Sequence, residues 1–256
     1  TISTAGDRAQ VRENADWKLE VELATRDAET FRARGFVRYS DFGAKGDGSS
    51  DDSGAIAATH AYANQEGLSV RADDDAIYYI GGKKRTAIIR TDTDFGAAAF
   101  LIDDTQVEDR SAPLFRVSPE QAPFVPEGIT SLRRNQERID VALPGPCLIA
   151  VTDSNTRRYI RYGPNQNDGY SQTDIFVVDG TGAIDPNAPL VWDFDQITEI
   201  KALPLDTETL TLRGGRFITV ANHAESEYKY YSRNIEINRS NVVVDGLEHR
   251  IIGEGE

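Results

Sequence analysis

Tyr39-Ser-Asp-Phe-Gly-Ala-Lys-Gly-Asp-Gly-Ser-Ser-Asp-Asp-Ser-Gly-Ala-Ile56 is the stretch whose reading decides the fold. Gly43, Gly46 and Gly48 admit tight turns and left-handed backbone that a Cβ resists. Asp51 and Asp52 stand where a helix N-cap belongs, accepting from free N–H groups at the positive end of the helix dipole. Ser53–Glu66 is alanine-rich and reads as that helix, with Gly67 ending it. A strand, a glycine turn and a helix are therefore expected in that order.

Three glycines beside two carboxylates also admit a ligand loop. Neither G-K-[ST] nor G-x-G-x-x-G occurs, and Asp51 and Asp52 would repel a phosphate. The alternating oxygen ligands and terminal Glu of an EF-hand are missing too. Capping alone accounts for the residue types.

The run D-F-G-A-K-G-D-G-S-S-D-D (41–52), followed by Ala55-Ile56 and the alanine-rich helix, closely resembles the opening of the pectate-lyase-like superfamily. Its members are right-handed parallel β-helices, found among polysaccharide lyases, polygalacturonase-like hydrolases and phage tailspikes. The resemblance implies a mainly β chain whose β-helix starts here, with helix 53–66 capping its open end. It covers 36–117 and about 205–256, where N-R-S-N-V-V-V-D-G-L (238–247) is similar to the repeating coils, with Asn241 and Gly246 at corners. Ala76–Ile80, carrying Tyr78 and Tyr79, matches the first-coil strand. Where the family repeats an aliphatic one turn after Ile56, this chain has His60, expected half-buried and hydrogen-bonded.

Composition sets the outer limits. The 256 residues hold 42 acidic and 28 basic side chains, a formal charge of −14, which argues against nucleic acid and anionic membrane surfaces. No apolar run approaches the ~20 residues of a membrane span. The lone Cys147 excludes an internal disulfide. A start at Thr1 and the lack of any methionine suggest that an initiator and a signal peptide have been removed, and the chain is expected to be the N-terminal part of a longer protein. Strand-like Val242–Val244 and Ile251-Ile252 near the end suggest truncation within the solenoid, leaving strand edges exposed.

Four segments are expected. Residues 1–35 form an extension, with a short strand around Trp17, Leu19, Val21 and Leu23 and a helix at 25–34 ended by Gly35. Residues 36–118 begin the β-helix, with strands at 68–72, 76–80, 87–90 and 97–102 separated by Asp/Gly turns, T-D-T-D-F-G (91–96) among them. Residues 119–200 read as an antiparallel β insertion behind a proline-rich passage. Its strands are expected at 148–152, 157–162, 173–178 and 190–194, with a hairpin turn at Asp179–Gly182. Residues 201–256 resume the β-helix with strands at 209–212, 217–221, 235–238, 241–245 and 249–252.

The chemistry is less legible. Asp73–Asp75, Asp92 with Asp94, and Asp103 with Asp104 could supply oxygens to calcium, the one cofactor suggested, but each cluster sits where a strand ends and suits a turn. Tyr159–Tyr162 with Asn165, Asn167 and Tyr170 mixes aromatics and amides as a sugar-contacting surface would. No G-x-S-x-G, H-E-x-x-H or zinc-spaced cysteine pair occurs, and His60, His223 and His249 are scattered. No catalytic residue is assigned. The resemblance implies a polysaccharide lyase or glycoside hydrolase acting on an extended glycan, uronic-acid polymers among the candidates, in an extracellular or periplasmic setting. The alternative is a non-catalytic glycan-binding spike of tailspike type, which would be a homotrimer.

Overall fold

The computed structural model describes residues 2–3, 9–13, 19–23, 25–158, 169–222 and 233–253. The chain is mainly β and divides into two compact units, one made of 1–118 with 208–256, the other of 119–207.

The first unit opens with three short strands, β1 (Ile2–Ser3), β2 (Ala9–Glu13) and β3 (Leu19–Leu23), paired antiparallel in that order. Only β3 was expected, and Trp17 and His223 lie outside the described residues. Helix α1 (Thr25–Arg34) ends at Gly35, whose φ of 78° lets its N–H return to the Phe31 carbonyl. Strand β4 (Phe36–Arg38), a 3-10 turn over Tyr39–Phe42 and β5 (Asp47–Asp51) lead to helix α2 (Ser53–Glu66). The capping expectation needs correction here. Asp52 is the N-cap residue, yet its carboxylate turns backward to accept from the Lys45 and Gly46 amides at 2.6 and 3.1 Å. Asp51 supplies the cap-like contact instead, accepting from Ser53 N–H at 3.0 Å. Gly46 must be glycine: at φ 60° a Cβ there would lie 2.8 Å from the Ala76 Cβ.

Beyond α2 come β6 (Ser69–Arg71), β7 (Ile77–Ile80), β8 (Ala87–Ile89), β9 (Thr93–Asp103) and β10 (Phe115–Val117). Only Thr91 and Asp92 of the T-D-T-D-F-G run lie between strands. Its last four residues are the bent start of β9, where Asp94 accepts from Gly96 N–H and Gly96, at φ 52°, swings the strand into a new direction.

The second unit is built on β11 (Cys147–Arg158), flanked antiparallel by β12 (Tyr170–Val178) and β13 (Glu199–Pro204). Strand β11 carries the strand expected at 148–152 on to Arg158 across a register shift between Asp153 and Arg157, where Asp153 accepts from Asn155 N–H and Thr156 Oγ1; the rest of the strand expected at 157–162 lies outside the described residues. Residues 190–194 are not a strand, because the Asp174 carboxylate takes the Val191 and Trp192 amides that a ladder would use. Their place is filled by β13, which carries the unit past the expected limit at 200. Cys147, Ile149, Val151, Phe176, Val178 and Phe194 form its core. The two ends of the unit are tied together, Glu120 N–H donating to Asp206 Oδ1 at 2.9 Å.

The first unit resumes with β14 (Leu210–Val220), β15 (Ile235–Ile237), β16 (Val242–Asp245) and β17 (Glu248–Ile252). Like β9, β14 is bent, at Gly214-Gly215, and spans two expected strands. Asn241 (φ 53°) and Gly246 (φ 68°) make the corners around β16. Beyond β3 all pairing in this unit is parallel. Strands β4, β6, the first halves of β9 and β14, and β16 follow one another; so do β5, β7, the second halves of β9 and β14, and β17; so do β8, β10 and β15. Equal positions therefore stack. Tyr78, Phe100 and Phe217 form an inward row, with Phe100 and Phe217 parallel at 4.7 Å between centroids. Burying each such ring contributes about 1.5–3 kcal/mol.

Candidate functional site

Strands stacked in parallel register repeat each position about 4.8 Å apart. On the sheet that contains β7, one such column reads Asp51, Tyr79, Leu101, Ile218 and Arg250. Tyr78 and Phe100, beside it in sequence, are buried in the core, so the column faces outward. To one side stand Ile77, Ala99, Arg216 and Glu248, to the other Asp103, Val220 and Ile252. The result is a lateral face with aliphatic and tyrosine contacts in its middle and charges of both signs at its rims.

Its hydrogen-bonded polar feature is the corner where β7 and β9 end. Asp103 accepts from Thr105 N–H and Oγ1 at 3.0 and 2.5 Å and from Tyr79 Oη at 2.8 Å. The Thr105 bonds above all hold its carboxyl below the usual range, so it is an ionised acceptor in any ordinary buffer. Hydrogen bonding to Asp103 raises the Tyr79 phenol in turn. Asp51 lies one strand away, its Oδ1 3.4 Å from the Gly81 amide. Asp104 differs from its neighbour. It is buried, which pushes its carboxyl up, while Arg233 pulls the other way from 2.8 Å. Arg233 also donates to the carbonyls of Asp103 (3.0 Å) and Gly81 (2.6 Å). Asp104 and Arg233 are thus a lock behind the corner, whereas Asp51, Tyr79 and Asp103 can meet a polyhydroxyl ligand from outside.

The carboxylates suggested for calcium are engaged by donors of the protein itself, locally at Asp94 and Asp103 and across distant segments at Asp73 and Asp92. Asp73 accepts from Ser40 N–H, Ser40 Oγ and Tyr78 Oη, and Asp92 from Thr211 N–H. Asp74 is exposed 3.9 Å from Arg38, and Asp75 takes a positive φ of 57°. Among the described residues no three His, Cys, Asp or Glu side chains converge as a metal cage would require.

His60 is fully buried rather than half-buried. Its Nε2 is 3.0 Å from Tyr39 Oη, and its Nδ1 has no partner. Burial lowers its pKa to about 3. His249 pairs with Thr219 Oγ1 at 3.0 Å, at the open end of the inward aromatic row. Tyr159–Tyr162, Asn165 and Asn167 lie outside the described residues, while Tyr170 is exposed at the start of β12.

Two features escaped the sequence. Arg233 finds its partner 129 positions away, and no local pattern announces it. Trp192, in a segment read as a strand, is instead an exposed ring beneath the Arg158 guanidinium, whose Cζ is 3.9 Å from the ring centroid. Among the described residues no helix is long and apolar enough to cross a membrane, which leaves β-barrels aside. No family model matches the chain, and no curated protein matches it either.

Proposed function

We propose that the chain is a carbohydrate-active parallel β-helix protein, a polysaccharide lyase or glycoside hydrolase acting outside the cytoplasm on an extended glycan. The lateral column from Asp51 to Arg250 carries this reading, because a run of equivalent outward positions suits a polymer of equivalent residues. The β-helix itself is inferred from the three parallel strand series visited in turn, for which a right-handed path is the rule. On that reading α2 closes the first coil. The sequence resemblance adds the reaction class by analogy. A lyase needs a base beside the uronate carboxyl and a cation or arginine to neutralise it, whereas a hydrolase needs two carboxyl groups.

The test is incubation with a panel of uronic-acid and neutral polysaccharides. Absorbance of an unsaturated uronate means lyase, and reducing ends without it mean hydrolase. Binding with neither product sinks the enzymatic reading. A second reading, a trimeric spike of tailspike type, is favoured by the exposed Val243, Val244, Ile251 and Ile252, each 44–51% accessible. A monomer in sedimentation analysis would remove it.

A further inference from the structure

The second unit carries a preformed aromatic and cationic surface that the lateral face does not explain. Arg158 and Tyr170 are register partners on β11 and β12, so both side chains leave the sheet on the same face. Across that face runs the 190–194 segment, pinned by the Asp174 carboxylate on the Val191 and Trp192 amides at 2.8 and 3.3 Å. Gln172, only 1% exposed, holds both parts. Its Oε1 accepts from Arg158 Nη2, and its Nε2 donates to the Asp193 carbonyl at 2.8 Å. The guanidinium is thereby held over the indole, its Cζ 3.9 Å from the ring centroid, while Trp192 stays 38% and Tyr170 58% exposed. The side chain that Arg158 Nη2 bonds, Gln172, is neutral, in a chain of net charge −14.

We propose that Trp192, Arg158 and Tyr170 form a subsite for an acidic sugar on the second unit. Exposed aromatic rings offer apolar contact to a pyranose, and a guanidinium held over an indole has further N–H donors in a fork that fits a carboxylate or a sulfate. The buried Gln172 removes much of the rotamer entropy that a surface arginine loses on binding. The proposal rests on the reading that the ligand is a glycan, and on no chemistry in the first unit.

The experiment is calorimetric titration of the whole chain at low salt with oligouronate, sulfated and neutral oligosaccharides of equal length, and with a single-stranded oligonucleotide. The uronate or the sulfated sugar should bind, and which one binds names the acid. Trp192→Ala and Arg158→Ala should each weaken it by about tenfold, the scale of one lost charge-assisted contact. Arg158→Lys should not restore binding, and Arg157→Ala should leave it unchanged. Arg158 is exposed, so its variants test the idea even if Trp192→Ala folds poorly. Equal binding of the neutral sugar or the oligonucleotide, or an Arg158→Ala chain that binds like the parent, would overturn it. Binding that depends on these residues with no product formed would sink the enzymatic reading and leave the subsite standing. Product formation indifferent to them would do the reverse.

Discussion

Arg233 Nη1 lies 2.8 Å from Asp104 Oδ1, with 2% and 5% of the two side chains exposed. A buried pair of this kind adds little over an apolar pair, but removing one partner strands the other charge. Arg233→Ala, or Asp104→Ala, should therefore cost about 3–5 kcal/mol in urea unfolding of the first unit. A loss below ~1 kcal/mol would mean that water reaches the site.

His60 predicts acid sensitivity. Its folded pKa of about 3 lies below the unfolded value of about 6.5, so the unfolded chain binds the extra proton. The stability it preserves is complete above pH 6.5 and declines as pH falls toward 3. Between pH 7 and pH 5 the loss should be about 2 kcal/mol. His60→Gln should flatten that part of the stability profile; an unchanged slope would assign it to other groups.

Two glycines with similar φ should respond differently to alanine. Gly214 has φ 69°, and a Cβ would stand 2.4 Å from the Gly96 carbonyl oxygen, a backbone atom that cannot swing away. Gly35 has φ 78° with nothing within 4 Å. Gly35→Ala should cost about 1 kcal/mol from strain alone, and Gly214→Ala clearly more, since β14 must also shift against β9. Equal melting temperatures for the two variants would contradict the close approach.

Asp174 touches no proposed ligand, yet it fixes the segment bearing Trp192. Asp174→Ala should weaken acidic-sugar binding while leaving Arg158 and Trp192 chemically intact, with added mobility of the indole visible in fluorescence anisotropy. Unaltered affinity would show that the segment is held without it.

Much of the first unit is legible because its signals are local. Helix 53–66 follows from its alanines and Gly67, and the short strands around the Asp and Gly corners follow from turn chemistry. Asp94-Phe95-Gly96 misled because one residue in the left-handed region bends a strand as readily as it ends one. Residues 190–194 misled because a strand pattern says nothing of a carboxylate on another strand that takes the amides first. His60 proved more buried than expected because its surroundings, Tyr39 and Phe115, come from other turns of the chain. The Arg233 lock and the Trp192 platform were unreadable for the same reason: their partners are brought by topology.

The bond between Glu120 and Asp206 bears on how the chain reaches this state. Strand β14 must find β9, with the whole 119–207 segment between them. For a flexible loop of that length the entropy of closure is about 4 kcal/mol. Once the second unit has folded and drawn its own ends together, most of that search is over before the parallel pairing begins. A lesion in the core of the second unit should accordingly slow assembly of the first, although it removes none of the first unit's contacts. The unit that carries the proposed sugar subsite would then serve also as a clasp in folding.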